Sequence, residues 1–354
     1  MSQKILIRTP NHLGDCVMAL PMINETREAY PGSSVTVLTP EYLADLFEQN
    51  PAIDSILKIS REHVHGLIGV VKIKEQISAH DFDIGFIMPP SFGAASAFKL
   101  AGVRERVGYI ADGRRLLLSR PLPLPTPLNA HHRSELYFDL LRRASGMDLA
   151  YVTPKLFVNE ADVKQAIELL RGFGIEPEHR YAVIAFRAVA ESRRWGLINY
   201  AALSRVLVER FHTRIVLIGS KDDLSEGDEL MDAAGCDGIV NLAGKTSLRE
   251  TATITSRAAL FIGNDSGPAH LAAAVATPLI VLSGADDPAE TSPIASNKTV
   301  LYRDKLGCIS CVKNKCPLNG EQHMLCMKEI TLEMALEAAT GILGENGNPA
   351  DSPD

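Results

Sequence analysis

No apolar run in these 354 residues comes near the ~18–20 needed to cross a bilayer. The opening MSQKILIRTP has no basic stretch followed by a long apolar core, so it does not read as a signal peptide. There is one tryptophan, and no internal repeat stands out. Six cysteines are too few for a disulfide scaffold of this length. Apolar content is not short: 46% hydrophobic against 22% charged suits a packed chain and excludes a disordered or fibrous one. These absences leave a cytoplasmic enzyme with reduced thiols. At ~100–200 residues per domain, the length predicts two domains.

Positive charge is also scarce. A formal net charge of −7 argues against a general nucleic-acid binder. The charge is uneven: residues 1–160 balance 17 cations against 17 acids, so the whole −7 falls in residues 161–354. Within the neutral half, residues 99–120 hold six cations against Glu105 and Asp112. That stretch is either a solvated helix and loop or a surface for a phosphorylated or anionic-membrane partner.

Short runs rich in Val and Ile alternate with helical patterns. They predict strands at 5–8, 34–38 and 84–88, then at 181–186, 214–218, 260–263 and 279–282. A helix is expected over 15–29. Such runs between helices indicate parallel sheets covered on both faces, hence two doubly wound α/β domains. The proline-rich 121–127 (PLPLPTP) fits neither a central strand nor a helix interior and reads as an ordered loop. The junction is expected near 152–161, before a helix at 161–173, giving domains 1–155 and 156–344. The polar tail 345–354 is expected to be disordered. Ligands of open α/β sheets bind beyond the carboxyl ends of the strands, which predicts a site in a cleft between the domains.

Five segments carry candidate chemistry. RTPNHLGDCVMALP (8–21) follows a strand; Gly14 suits a tight turn, and Asp15 is either a general base or a helix-capping carboxylate. LFIGNDSGPAHLAAAVATPLIVLSGADDP (260–288) places Asp265, Ser266 and Gly267 in a turn, with Pro268 opening a small-residue helix at 269–275. The first amides of that helix form an anion site suited to a diphosphate, with Asp265 beside it for sugar hydroxyls. The plainer reading of Asp265 and Ser266 is capping, and His270 one turn in fits a structural role. AFRAVAESRRW (185–195) brings Arg187, Arg193 and Arg194 into one loop, as phosphate ligands or as surface charge with Trp195 packed on the next helix. LIGSKDD (217–223) ends a strand in acids suited to ribose, and NLAGKTSLRE (241–250) reads as a capped helix start. Finally, Cys308, Cys311, Cys316 and Cys326 fall within nineteen residues, either as unligated thiols or as a structural zinc or iron–sulfur site.

Together these motifs resemble the ADP-heptose:lipopolysaccharide heptosyltransferases, glycosyltransferase family 9, with heptosyltransferase II as the nearest resemblance. It spans nearly the whole chain, from LGDCVMALP through PPSFGAASAFKLAG and RRWG to GNDSGPAHLAAA and the DP of ADDP. The resemblance implies the GT-B architecture, with two Rossmann-like domains. It implies an ADP-L-glycero-D-manno-heptose donor on the C-terminal domain and the lipopolysaccharide inner core as acceptor on the N-terminal domain. Asp15 matches the catalytic aspartate, with Gly14 and Arg8 on the acceptor side. Asp265 matches the residue that holds the heptose, and Ser266, Gly267, Pro268 and His270 fall on the donor side. Arg193 stands where the family usually has Lys, and Asp223 aligns with an acidic residue near the ribose. No metal or other cofactor is implied for catalysis, and peripheral contact with the inner membrane is. The 185–195 loop departs from the usual PGAxxGPAKRW: Phe186–Arg187 replaces Pro–Gly, and one residue is missing. Another nucleotide sugar, a GT-B epimerase and a silent scaffold with a cysteine-rich module are the alternatives left open.

Overall fold

The computed structural model describes residues 2–127 and 130–344; the tail expected to be disordered lies outside the described residues. The chain forms two compact units, one ending at Phe157 and the other beginning at Val158.

The first unit holds β1 (Lys4–Arg8), β2 (Ser34–Pro40), β3 (Ser55–Ile59), β4 (Ile84–Ile87), β5 (Glu105–Tyr109) and β6 (Arg120–Leu122), ordered β3-β2-β1-β4-β5-β6. All neighbours are parallel. The central strand β1 carries Ile5, Leu6 and Ile7, each fully buried. Apolar side chains alternate to the two faces, and helices cover both. The expected helix 15–29 is instead three short ones: α1 (Leu13–Met18), α2 (Leu20–Asn24) and α3 (Thr26–Ala29). Pro21 has no N–H for the carbonyl one turn back, so the ladder breaks before it. The Thr26 hydroxyl donates to the Met22 carbonyl at 2.8 Å, a back-bond that bends helices. The unit is completed by α4 (Gly66–Ser78), α5 (Phe92–Leu100) and α6 (Arg133–Ser145).

One expectation needs correcting here. The loop expected from residue 121 starts as an edge strand, with Pro121 opposite Gly108. Beyond an edge there is no neighbour to miss the proline's N–H. The cations of 99–120 divide between structural and surface roles. Arg114 is buried, its Nε donating to the Tyr109 carbonyl at 2.9 Å. Arg106 and Arg120 donate to the Leu117 and Arg143 carbonyls at 2.8 and 2.9 Å. Lys99, Arg104 and Arg115 are the exposed cations of the stretch.

The second unit repeats the plan. It holds α7 (Glu160–Gly172), β7 (Tyr181–Ala185), α8 (Leu197–Phe211), β8 (Arg214–Leu217), α9 (Leu224–Ala234), β9 (Ile239–Asn241), α10 (Leu248–Ser256), β10 (Leu260–Asn264), α11 (Gly267–Ala274), β11 (Leu279–Leu282), α12 (Pro288–Thr291), β12 (Lys298–Leu301), α13 (Leu325–Lys328) and α14 (Leu332–Leu343). The parallel sheet runs β12-β11-β10-β7-β8-β9. In β7, Ala182 and Ile184 enter one core with Trp195, Tyr200 and Leu207; Tyr181, Val183 and Ala185 enter the other with Phe261 and Val281. Both faces are therefore dry. In each unit the third strand is one edge, the sixth is the other, and the order reverses between the first and fourth. Connections diverge at that point and leave a crevice at the carboxyl ends. The segments after β1, β7 and β10 start there, and they lead to Asp15, Arg193 and Asp265. Among the described residues no helix is long and apolar enough to cross a membrane.

Candidate functional site

In the first unit, β1 ends in Arg8, which is buried and inside the fold. Its Nη2 donates to Asn11 Oδ1 at 2.6 Å, and burial lowers its pKa to about 10. Arg8 therefore organises the loop that leads into the helix carrying Gly14 and Asp15. Helix α1 opens at Leu13, so Gly14 lies in its first turn, and the tight turn expected there does not form. Buried Cys16 is pushed up to about 12, mainly by burial, and stays a thiol that donates to the Pro10 carbonyl at 3.2 Å.

Asp15 does not cap the helix. His12 occupies the N-cap, and no side chain makes a cap bond. Instead the Asp15 carboxylate receives a hydrogen bond from the Tyr137 hydroxyl at 3.1 Å, and Arg133 Nη1 lies 3.7 Å from the same oxygen. Burial, and then the charge of Asp15, push the Tyr137 hydroxyl well above its ordinary range, so at neutral pH it remains a donor. Both partners come from α6, which Ser134 pins in place: its hydroxyl donates to the Met18 carbonyl at 2.6 Å and accepts from Tyr151 at 2.9 Å. The Asp15 side chain is still 19% exposed. One carboxylate edge is thus held while the group stays open to a ligand. Sequence reasoning missed Tyr137 and Arg133 because nothing in the chain marks a tyrosine more than a hundred residues away as its partner.

In the second unit, Asn264 ties two loops together. Its Oδ1 accepts from the Trp195 amide at 3.0 Å, and its Nδ2 donates to the Phe186 carbonyl at 3.2 Å. Asp265 follows, 4% exposed, accepting from the Ser283 hydroxyl at 3.0 Å. Burial, reinforced by the charge of Asp286, raises its pKa to about 6. Ser266 is the N-cap of α11 by position, but its hydroxyl donates to the Asn264 carbonyl instead of capping. With Gly267 and Pro268 as the first two helical residues, the helix start has no side-chain cap, and its positive end is left for an outside anion. His270 is buried in the same helix.

Arg193 is a fork closed on Asp286: Nη2 donates to Oδ1 at 2.7 Å, and Nε pairs with Oδ2. Arg193, Asp265 and Asp286 therefore form one charged cluster beside the start of α11. Asp286 was not foreseen, although it directly precedes the DP of ADDP. Asp223 sits elsewhere, in the turn after β8, where its Oδ2 accepts the Ser220 amide and hydroxyl, both at 2.7 Å. Arg187 lies 3.5 Å from Asp223 and 2.6 Å from Glu226, so this arginine belongs to the acidic turn and not with Arg193. Trp195 packs edge-on against Tyr200, and its indole N–H donates to the Ile330 carbonyl at 2.6 Å. The capped start expected at 241–250 is present, with Ser247 and Glu250 forming a capping box on α10.

Cys308, Cys311, Cys316 and Cys326 all line one cavity of about 50 Å³, together with Ala285, Pro317 and Leu325. All four are free thiols. Burial raises the Cys326 thiol, with smaller upward effects from the other three. Among the described residues, however, no group of three or more His, Cys, Asp or Glu is placed to hold a metal ion. The zinc or iron–sulfur expectation therefore finds no support: Cys308 is exposed, Cys316 Sγ accepts the Met324 amide, and the other walls are apolar apart from Ser192 and Gln322. The segment instead braces its neighbours. The Ser192 amide donates to the Asn314 carbonyl at 3.1 Å, and the Val312 amide to the Ala285 carbonyl at 2.8 Å.

Comparison with known proteins places this geometry. The chain is 27% identical over 353 residues to lipooligosaccharide heptosyltransferase 2 of Haemophilus influenzae, covering 96% of this chain and 99% of that one. The structure of Escherichia coli ADP-heptose lipopolysaccharide heptosyltransferase II superposes with a TM-score of 0.79 at 24% identity, covering 96% and 98% of the two chains. E. coli heptosyltransferase WaaC, solved with ADP-2-deoxy-2-fluoro heptose, superposes at 0.71 with 18% identity over 95% and 98%. Both units thus have the GT-B plan. The family model described as glycosyltransferase family 9 (heptosyltransferase) matches residues 70–321. With that match spanning most of its length, the chain belongs to glycosyltransferase family 9, the heptosyltransferases.

Proposed function

We propose that the protein is a cytoplasmic inverting transferase that moves L-glycero-D-manno-heptose from ADP-heptose to the inner core of lipopolysaccharide. The observation that carries this reading is the state of Asp15: not a cap, held on one oxygen by Tyr137, and partly open. Asp15 takes the proton from an acceptor hydroxyl. The oxygen then forms a bond to the anomeric carbon as the bond from that carbon to the diphosphate breaks, with inversion. The electron pair leaves on ADP. The uncapped start of α11 and the Arg193 guanidinium meet that growing charge, for which Arg193 gives up part of its pairing with Asp286. Asp265 holds sugar hydroxyls, and Asp223 lies at the ribose. The first unit binds the acceptor and the second the donor.

Incubation with ADP-heptose and an inner-core acceptor is expected to release ADP. Asp15→Asn should lower turnover by roughly a hundredfold or more while ADP-heptose affinity changes little. Retention of turnover in this variant would return Asp15 to a structural role. ADP release with ADP-heptose but not with GDP- or UDP-sugars separates this reading from a relative using another donor.

A further inference from the structure

Helix α4 buries Gly69, Ile73 and Ile77 and turns Leu67, Ile68 and Val71 outward. Leu67 is 86% and Ile68 70% exposed, and positions 67, 68 and 71 share one helix face. The N-terminal end of α5 lies against α4, since a Cβ on Gly93 would stand 3.2 Å from Val70. Phe92, beside it, is exposed. At the other end of α5, Lys99 Nζ donates to the carbonyl of Leu116, which is itself 85% exposed. Six of the thirteen exposed large apolar side chains among the described residues fall on α4, α5 and the short turn Arg114–Leu117. Scattered apolar residues are ordinary on a surface; a concentration of this kind marks an interface.

The charges at the same place select the partner. Lys99 and Arg115 are exposed beside these apolar tips, and so is Lys72, which pairs with Glu75 at 3.0 Å on the same helix. The Asp112 carboxylate is turned back onto the Phe92 amide at 3.0 Å. Apolar side chains rimmed by Lys and Arg suit a bilayer interface, where the tips enter the acyl boundary and the cations meet anionic headgroups.

We propose that α4, α5 and the turn Arg114–Leu117 dock the first unit on an anionic lipid bilayer. This deepens the reading of a lipid-borne acceptor and rests on it only for its purpose, because vesicle binding is measurable without any transfer reaction. The full chain is floated with vesicles of phosphatidylethanolamine and phosphatidylglycerol, or of phosphatidylcholine alone. Binding is expected only with phosphatidylglycerol and should weaken with salt. The paired change Leu67→Ser and Ile68→Ser should lower it roughly tenfold or more, and the paired change Lys99→Glu and Arg115→Glu should abolish the preference for phosphatidylglycerol. Both variants should retain wild-type turnover on a delipidated acceptor. The proposal is overturned if the wild type ignores phosphatidylglycerol vesicles or if the serine variant binds them equally well. It is also overturned if the wild type is a dimer that the serine variant dissociates, which would make a second copy the occupant. Absence of heptose transfer alongside intact vesicle binding would remove the transferase reading and leave this one standing.

Discussion

Replacing Asp265 by Asn should make the protein more stable, and only in one range of pH. The carboxyl is 4% exposed, and its pKa rises from 3.8 to about 6. Unfolded, it titrates near the lower value; folded, near the upper. Between the two, the folded state binds the extra proton, so stability falls as pH rises through that window. Above pH 6 the full penalty applies. A shift of about two units corresponds to roughly 3 kcal/mol. Asn keeps the shape, can still accept from Ser283, and removes the like charge facing Asp286. At pH 8 the variant should therefore gain up to about 3 kcal/mol, or roughly 6–12 °C in melting temperature. The gain should shrink to about half a kcal/mol near pH 4 and vanish by about pH 3, where the folded and the unfolded wild type are both protonated. The one tryptophan lies in the same unit, so its fluorescence follows the unfolding concerned. A difference that stays flat from pH 4 to 8, or a variant less stable at pH 8, would refute the reasoning. The same substitution should weaken ADP-heptose binding in a titration, so stability and function would move in opposite directions.

Tyr137→Phe removes the donor that holds Asp15. It should lower kcat roughly tenfold, an effect of about 1.4 kcal/mol, with the KM for ADP-heptose nearly unchanged; an unchanged kcat would mean that the bond only steadies α6. Trp195→Phe leaves the Ile330 carbonyl without its indole donor and opens space beside Tyr200. It should cost roughly 2–3 kcal/mol in urea denaturation, and a loss below half a kilocalorie would contradict the packing described.

The strands that reasoning from sequence found are the central ones. β1, β2, β4, β7, β8, β10 and β11 lie inside the sheets and read as short runs rich in Val, Ile and Leu. The strands it missed, β3, β5, β6, β9 and β12, are edges or next to one, with polar residues such as Lys58, Arg106, Asn241 and Lys298 interleaved. The helix expected over 15–29 failed at Pro21, a residue in plain view whose missing N–H was not weighed against the apolar period. At the candidate site, the residues that could be named from sequence are those in segments that follow a strand: Asp15, Arg193, Asp265, Ser266. Their partners were not. Tyr137 reaches Asp15 across 122 positions, and Asp286 reaches Arg193 across 93. Contacts of that span depend on packing, which no local spacing records. The cation count of 99–120 did not separate its members for the same reason, because Arg114, which serves buried carbonyls, looks in sequence just like exposed Arg115.

The cysteine-bearing segment has a consequence for which changes the protein tolerates. It meets the loop before Arg193 and the loop before Asp286 through main-chain groups, Asn314 to Ser192 and Val312 to Ala285. Those links depend on the path of the backbone and are indifferent to the side chains that decorate it. Single replacements of Cys308 or Cys311 should therefore leave the two loops in register, whereas deleting one residue between Val312 and Asn314 would pull the Arg193–Asp286 pair apart. Length, more than thiol chemistry, is the property that selection would guard in this stretch.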